Sequence, residues 1–217
     1  MQITIREPGS AITHFIAMEL TMIAAFPLLM KAAGQGVIYT VSMLIFVMSM
    51  ILLYGASTTY HSINFSEKVI RVFRKIDHAM IYVLIAGSYT PVCLLILDHK
   101  QGYPLLAAVW ILAVAGVCMK CLWITCPKWV SSLVYIGMGW VCLFVFGPIV
   151  NSLTKAAFLW LLTGGVIYTV GGVIYALKLP IFNSRHKNFG SHEIFHLFVM
   201  GGSICHFIFM YQYVACA

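Results

Sequence analysis

The chain has 217 residues, of which 62% are hydrophobic and only 9% charged, with a mean hydropathy of +0.96. A soluble domain carries about a quarter charged residues. A water-soluble fold is therefore excluded, and an all-α polytopic membrane protein is expected, folded as one transmembrane domain over residues 1–217. The net charge of +7 is no nucleic-acid footprint, because the basic residues flank apolar runs instead of forming a patch.

Seven runs of roughly 20 residues, the length that crosses about 30 Å of hydrocarbon, lie near residues 11–30, 37–61, 76–97, 103–123, 130–150, 156–177 and 192–214. The first reads as a span in its own right, since no basic segment and small-residue cleavage site frame it as a signal peptide. Between the second and third, Val69, Ile70, Val72 and Phe73 interleave with Lys68, Arg71, Arg74 and Lys75. That pattern suits either a short helix lying in the interface, basic side to anionic headgroups, or a plain charged loop. At the end of the fourth span, Cys118, Cys121 and Cys126 read as packing thiols before metal ligands. The odd total of seven cysteines argues against a disulfide framework. The sixth and seventh spans carry Gly164-Gly165, Gly171-Gly172 and Gly201-Gly202. Small residues let helices approach closely in lipid, so packing is expected there before hinging. Gly165, Tyr168, Gly172 and Tyr175 fall near one face of the sixth span.

Lysine and arginine set the orientation. Arg6, Lys68, Arg71, Arg74, Lys75, Lys120, Lys128, Lys178, Arg185 and Lys187 share one side, against Lys31, Lys100 and Lys155 on the other. The positive-inside rule then expects the N-terminus in the cytoplasm and, after seven spans, the C-terminus outside.

That topology gathers the ionisable residues. The second span ends on the inner side with Ser57 and His61, the third begins there with Asp77 and His78, and the seventh begins there with His192 and His196. His192 and His196 are one helical turn apart on one face, as are Ser57 and His61. Ionisable groups at membrane depth are costly and functional by default. Three neutral imidazoles leave one position of a tetrahedral zinc open, the layout of a catalytic site. A bound water there has its pKa lowered toward ~7. Asp77 would serve as general base or orient a histidine, and Ser57 would donate to a substrate oxyanion; the sequence does not separate these roles. Three imidazoles also suit copper, nickel or iron.

His192-Glu193-x-x-His196 matches the zincin motif, in which the glutamate is the general base. No acidic residue follows it, and Asp77 competes for that role, so Glu193 reads as incidental and an intramembrane protease as a minor alternative. His14 is a candidate neighbour of the site, and His206, roughly 15 Å deeper along the helix than His196, is expected to bond within the bundle. His78 is expected to point elsewhere, toward headgroups. Glu19, inside the first span, has no single reading.

Four stretches, Ser57-Thr-Thr-Tyr-His61, Lys75-Ile-Asp77-His78-Ala-Met-Ile-Tyr82, Ala86-Gly-Ser-Tyr-Thr-Pro91 and His192-x-x-x-His196, resemble the hemolysin III family, the bacterial branch of the progestin and adipoQ receptor family. Gly164–Tyr168 and Gly201-Gly-Ser-x-Cys-His206 fit as well. The resemblance implies a seven-helix bundle with an inner N-terminus, zinc held by His61, His192 and His196, Asp77 reaching the metal through water, and Ser57 beside it. It also implies a bacterial cytoplasmic membrane location, contact with membrane lipids and a part in lipid homeostasis. Kinship with alkaline ceramidases points to hydrolysis of lipid amides or esters. The alternatives are a lipid sensor with structural zinc, a cytolysin, and, more weakly, a metal transporter. A cytolysin must first be water-soluble, which this composition opposes.

Overall fold

The structure, a computed structural model, describes residues 5–177 and 190–216. Among these it is all helix. Seven spans run as α1 (Pro8–Ala33), α2 (Val37–Ser62), α3 (Glu67–Pro91, prolonged by a π turn over Val92–Ile96), α4 (His99–Leu122), a broken fifth span, α7 (Lys155–Leu177) and α8 (Ser191–Phe209, prolonged by a π turn over Met210–Val214). The fifth span is α5 (Lys128–Gly139), a 3₁₀ turn over Val141–Val145, and α6 (Phe146–Ser152). Each span is long and apolar enough to cross a membrane, and the chain is a multi-pass membrane protein.

Lipid-facing side chains remain exposed along the spans, such as Phe26 at 72% and Phe144 at 90%. The inner faces are filled by Leu28, Phe46, Tyr54, Tyr82 and Phe209, all essentially buried. Glycines set the closest approaches, as expected. A Cβ on Gly202 would stand 2.8 Å from the Tyr168 ring, and one on Gly171 would stand 2.6 Å from Phe198 Cβ, which is how α7 and α8 come together. The chain reverses between α1 and α2 through Gly36, whose φ of +123° is open to glycine alone at little cost.

One expectation is corrected, and one span departs from a regular helix. The basic stretch before the third span is neither a separate interfacial helix nor a loop. It forms the first turns of α3 itself, which begins at Glu67. No Gly or Pro interrupts residues 67–86, Ser66 stands at the N-cap, and Glu67 meets the positive helix end. The fifth span is not one continuous helix. Pro148 removes the N–H that would bond to the carbonyl four residues back and clashes with that carbonyl, so the 3₁₀ turn falls just before it. Gly137 and Gly139 weaken the helix on the other side.

A candidate metal centre at the head of a membrane cavity

His61 lies in the last turn of α2, and His192 and His196 in the first turns of α8. The structure brings these three together, with one candidate ligand atom from each within 4.8 Å of the others. His61 is 1% and His196 2% exposed. His61 Nε2 is 3.2 Å from His192 Nε2. Two nitrogens on a tetrahedral ion at ~2.0–2.1 Å stand about 3.3 Å apart, so the spacing fits a shared metal.

At His61 and His196 the second ring nitrogen explains why the first is free to bind, whereas His192 Nδ1 is buried with no hydrogen-bond partner among the described residues. Glu7, the residue before α1, takes a hydrogen bond from His61 Nδ1 on its carboxylate. This fixes the tautomer that leaves Nε2 a lone pair. Thr13 Oγ1 already donates to the carbonyls of Gly9 and Ser10, so at 3.2 Å it accepts from His196 Nδ1. The His61 hydrogen bond holds the Glu7 carboxyl below its usual range, against the burial that raises it. The Glu7 N–H also donates to the His61 carbonyl at 3.0 Å, and Arg6 lies 4.4 Å over the Tyr60 ring. The segment before α1 is thereby stitched across the end of α2.

His14 stacks on His196, ring centroids 3.6 Å apart and nearly parallel. Asp77 stands outside the trio, its Oδ2 3.2 Å from His78 Nδ1. The expected outward turn of His78 is corrected: its ring is buried, with Nε2 3.4 Å from Tyr175 Oη, because α3 faces α7 at this level. Ser57 Oγ and both ring nitrogens of His14 are buried with no hydrogen-bond partner among the described residues. Such groups cost roughly 1–3 kcal/mol each when left unpaired, and they face a shared cavity.

That cavity, of about 190 Å³, is lined at its head by His14, Ser57, Asp77, His78, His192 and His196. One water needs only ~10–15 Å³, so the space suits a larger guest. It continues between α3, α5 and α7 past Leu84, Trp140 and Phe158 to His206. From His192 to His206 is about 21 Å along α8. Its walls are overwhelmingly apolar below the head. Gly165, Tyr168, Gly172 and Tyr175, the face singled out on the sixth span, line it. His206 bonds within the bundle as expected, with Nε2 3.3 Å from the Leu161 carbonyl.

Glu193 is occupied away from the metal trio. One carboxylate oxygen accepts from Ser10 Oγ and the other from the Gly190 N–H at 2.8 Å, the capping arrangement at the start of α8. Glu19 sits half-buried on α1, outside the cavity lining. All seven cysteines are free, and the Cys118, Cys121 and Cys126 group forms no metal-binding cluster among the described residues. Glu7, Ser10 and Thr13 escaped the sequence reading. Only the acidic residue directly before Pro8, at a helix start, hinted at Glu7.

Fold and site define a seven-helix membrane protein with a largely buried three-histidine cluster, two members of which line the head of an apolar cavity. The chain belongs to the haemolysin-III related family, whose model matches residues 2–207. It is 38% identical to "Hemolysin-3" of Bacillus cereus over 96% of this chain and 91% of that one. It is 40% identical to the "Hemolysin-3 homolog" of Bacillus subtilis (strain 168), over 94% and 92%. A more distant likeness, 25% identity over 75% of this chain and 40% of the other, joins it to the "Adiponectin receptor protein" of Drosophila melanogaster.

Proposed function

We propose that this chain is a zinc-dependent hydrolase of lipid amides or esters, working in the bacterial cytoplasmic membrane on membrane lipids. The observation that carries the reading is a three-histidine cluster, two of whose members, His192 and His196, line the head of a long apolar cavity together with Asp77 and the unpartnered Ser57 hydroxyl. His61, His192 and His196 would hold the ion. Zinc so held polarises a carbonyl and lowers the pKa of a bound water toward ~7. The chain's own groups do the rest. Asp77 accepts the proton of the attacking water. Ser57 Oγ donates to the carbonyl oxygen as negative charge gathers there. The apolar walls take the acyl chain and exclude water from the reaction.

One observation favours a second reading, a lipid sensor with structural zinc: Asp77 faces His78 and stands apart from the trio. The relatives' name suggests lysis instead, but the lipid-facing surface of every span opposes a soluble, secreted form.

The test is metal content of the purified protein by mass spectrometry, followed by turnover of lipid amides in vesicles. About one zinc per chain is expected, as one three-histidine site predicts, and its loss in His192→Ala. Asp77→Ala should keep zinc and lose roughly 10²–10⁴-fold in rate. Zinc-loaded wild type without turnover, but with lipid binding, selects the sensor. Wild type without zinc removes both readings.

A further inference from the structure

A second cluster lies apart from the histidines, where α4 meets α5. Lys120, in the last turn of α4, is 1% exposed, among the largest fully buried side chains. A buried ammonium needs a countercharge. The chain has six Asp and Glu residues, all within the described part, and none pairs with Lys120. Its Nζ instead donates to Cys126 Sγ at 3.1 Å and to Ser131 Oγ, and Cys126 Sγ and Ser131 Oγ are 3.1 Å apart. Cys126 sits in the connection between the two helices, 8% exposed, beside the exposed Leu122 and Trp123.

We infer that Cys126 is the counterion of Lys120, held as a thiolate, and that it is a nucleophilic thiol which hydrogen peroxide oxidises to the sulfenic acid. The thiol is the acidic group within reach of the buried ammonium. A lysine beside a cysteine lowers its pKa and favours the thiolate, the nucleophilic form. The other groups around the thiol are Arg74 and Tyr82 on α3, Tyr135 on α5 and Tyr175 on α7. None brings a negative charge at neutral pH, and Arg74 favours the thiolate. Burial raises the Cys126 thiol, but the Ser131 and Lys120 hydrogen bonds, with the Lys120 and Arg74 charges, together outweigh it, and the balance lies below the usual value.

The reaction balances within the cluster. The thiolate sulfur attacks one peroxide oxygen, the S–O bond forms and the O–O bond breaks. Sulfur is oxidised and the departing oxygen reduced. The leaving hydroxide takes a proton from the Lys120 ammonium and leaves as water. A neutral sulfenic acid and a neutral amine remain, so no buried charge is stranded. This step does not depend on the metal reading above.

The test uses the full chain in detergent. Iodoacetamide alkylation is followed from pH 5.5 to 9 by peptide mass spectrometry, with the exposed Cys118 and Cys121 as internal references. A free cysteine peptide run alongside slows about tenfold per pH unit below ~8.5. Cys126 should change less than about threefold between pH 6.5 and 8.5, the behaviour of a thiol already ionised. Peroxide with dimedone should tag Cys126 ahead of both references. Lys120→Met and Ser131→Ala should each move the Cys126 profile toward theirs. A wild-type Cys126 profile parallel to Cys118 overturns the inference whether or not the variants fold. So does a Cys126 that stays unmodified while the references are consumed.

Discussion

Glu7→Gln isolates what the carboxylate does for the metal trio. Gln keeps the shape, the backbone bond from residue 7 to the His61 carbonyl, and an oxygen able to accept from His61 Nδ1. It removes the charge. Loss of a carboxylate partner behind a metal-bound histidine typically costs 10–100-fold in affinity. The Glu7 side chain is 45% exposed and shared with Arg6 at 3.5 Å, so water and the guanidinium screen it. The effect should therefore sit near the lower end, about tenfold, or ~1.4 kcal/mol. Competition with a chromogenic zinc chelator in detergent reads it directly, with Glu19→Gln as a variant that leaves affinity unchanged. Glu7→Gln within twofold of wild type would refute the argument that the Glu7 charge strengthens the metal trio.

Two stability predictions follow from the packing. Gly202→Ala drives a methyl into the Tyr168 ring and should cost about 1–3 kcal/mol, lowering the detergent Tm by several degrees. Gly165→Ala meets nothing within 4 Å and should be neutral or stabilising by up to ~1 kcal/mol; equal effects at the two sites would contradict the packing. Tyr54→Phe deletes the 2.6 Å bond to Ser203 Oγ. It should cost about 1 kcal/mol, because Tyr168 Oη still reaches Ser203 at 2.8 Å.

The histidine trio was legible because two independent signals agree on it. Spacing places His192 and His196 on one face, and alternating spans carry His61 to the same end. Glu7 was not legible, because a lone acidic residue has no period and its partner lies 54 positions away. The break in the fifth span was hidden for a different reason. Pro148 is visible, but Pro27 and Pro104 sit inside helices here without breaking them, and Pro91 is followed by a π turn that carries the span on. A proline in a span is thus an ambiguous mark until its neighbours are known. Lys120 misled in the same way. A lysine at a span's end reads as a headgroup anchor, and Cys126 in the connection and Ser131 on α5 hold it inward.

Burial of Lys120 bears on orientation, since a lysine that never reaches the headgroups does not count toward the positive side. Removing it leaves nine basic residues against three, still a decisive bias, although Lys178, Arg185 and Lys187 lie outside the described residues. The orientation decides which leaflet feeds the cavity head, so it governs the proposed substrate route. Ser66, exposed between α2 and α3, marks the histidine end, and exposed Cys216 marks the opposite end. Intact cells carrying Ser66→Cys should label at residue 216 with a membrane-impermeant maleimide and stay unlabelled at residue 66 until the membrane is permeabilised. The reverse pattern would turn the bundle over and put the histidine cluster at the outer surface. An inner-leaflet lipid could not then reach Ser57 and Asp77, and any substrate would have to come from the outer leaflet or from outside the cell.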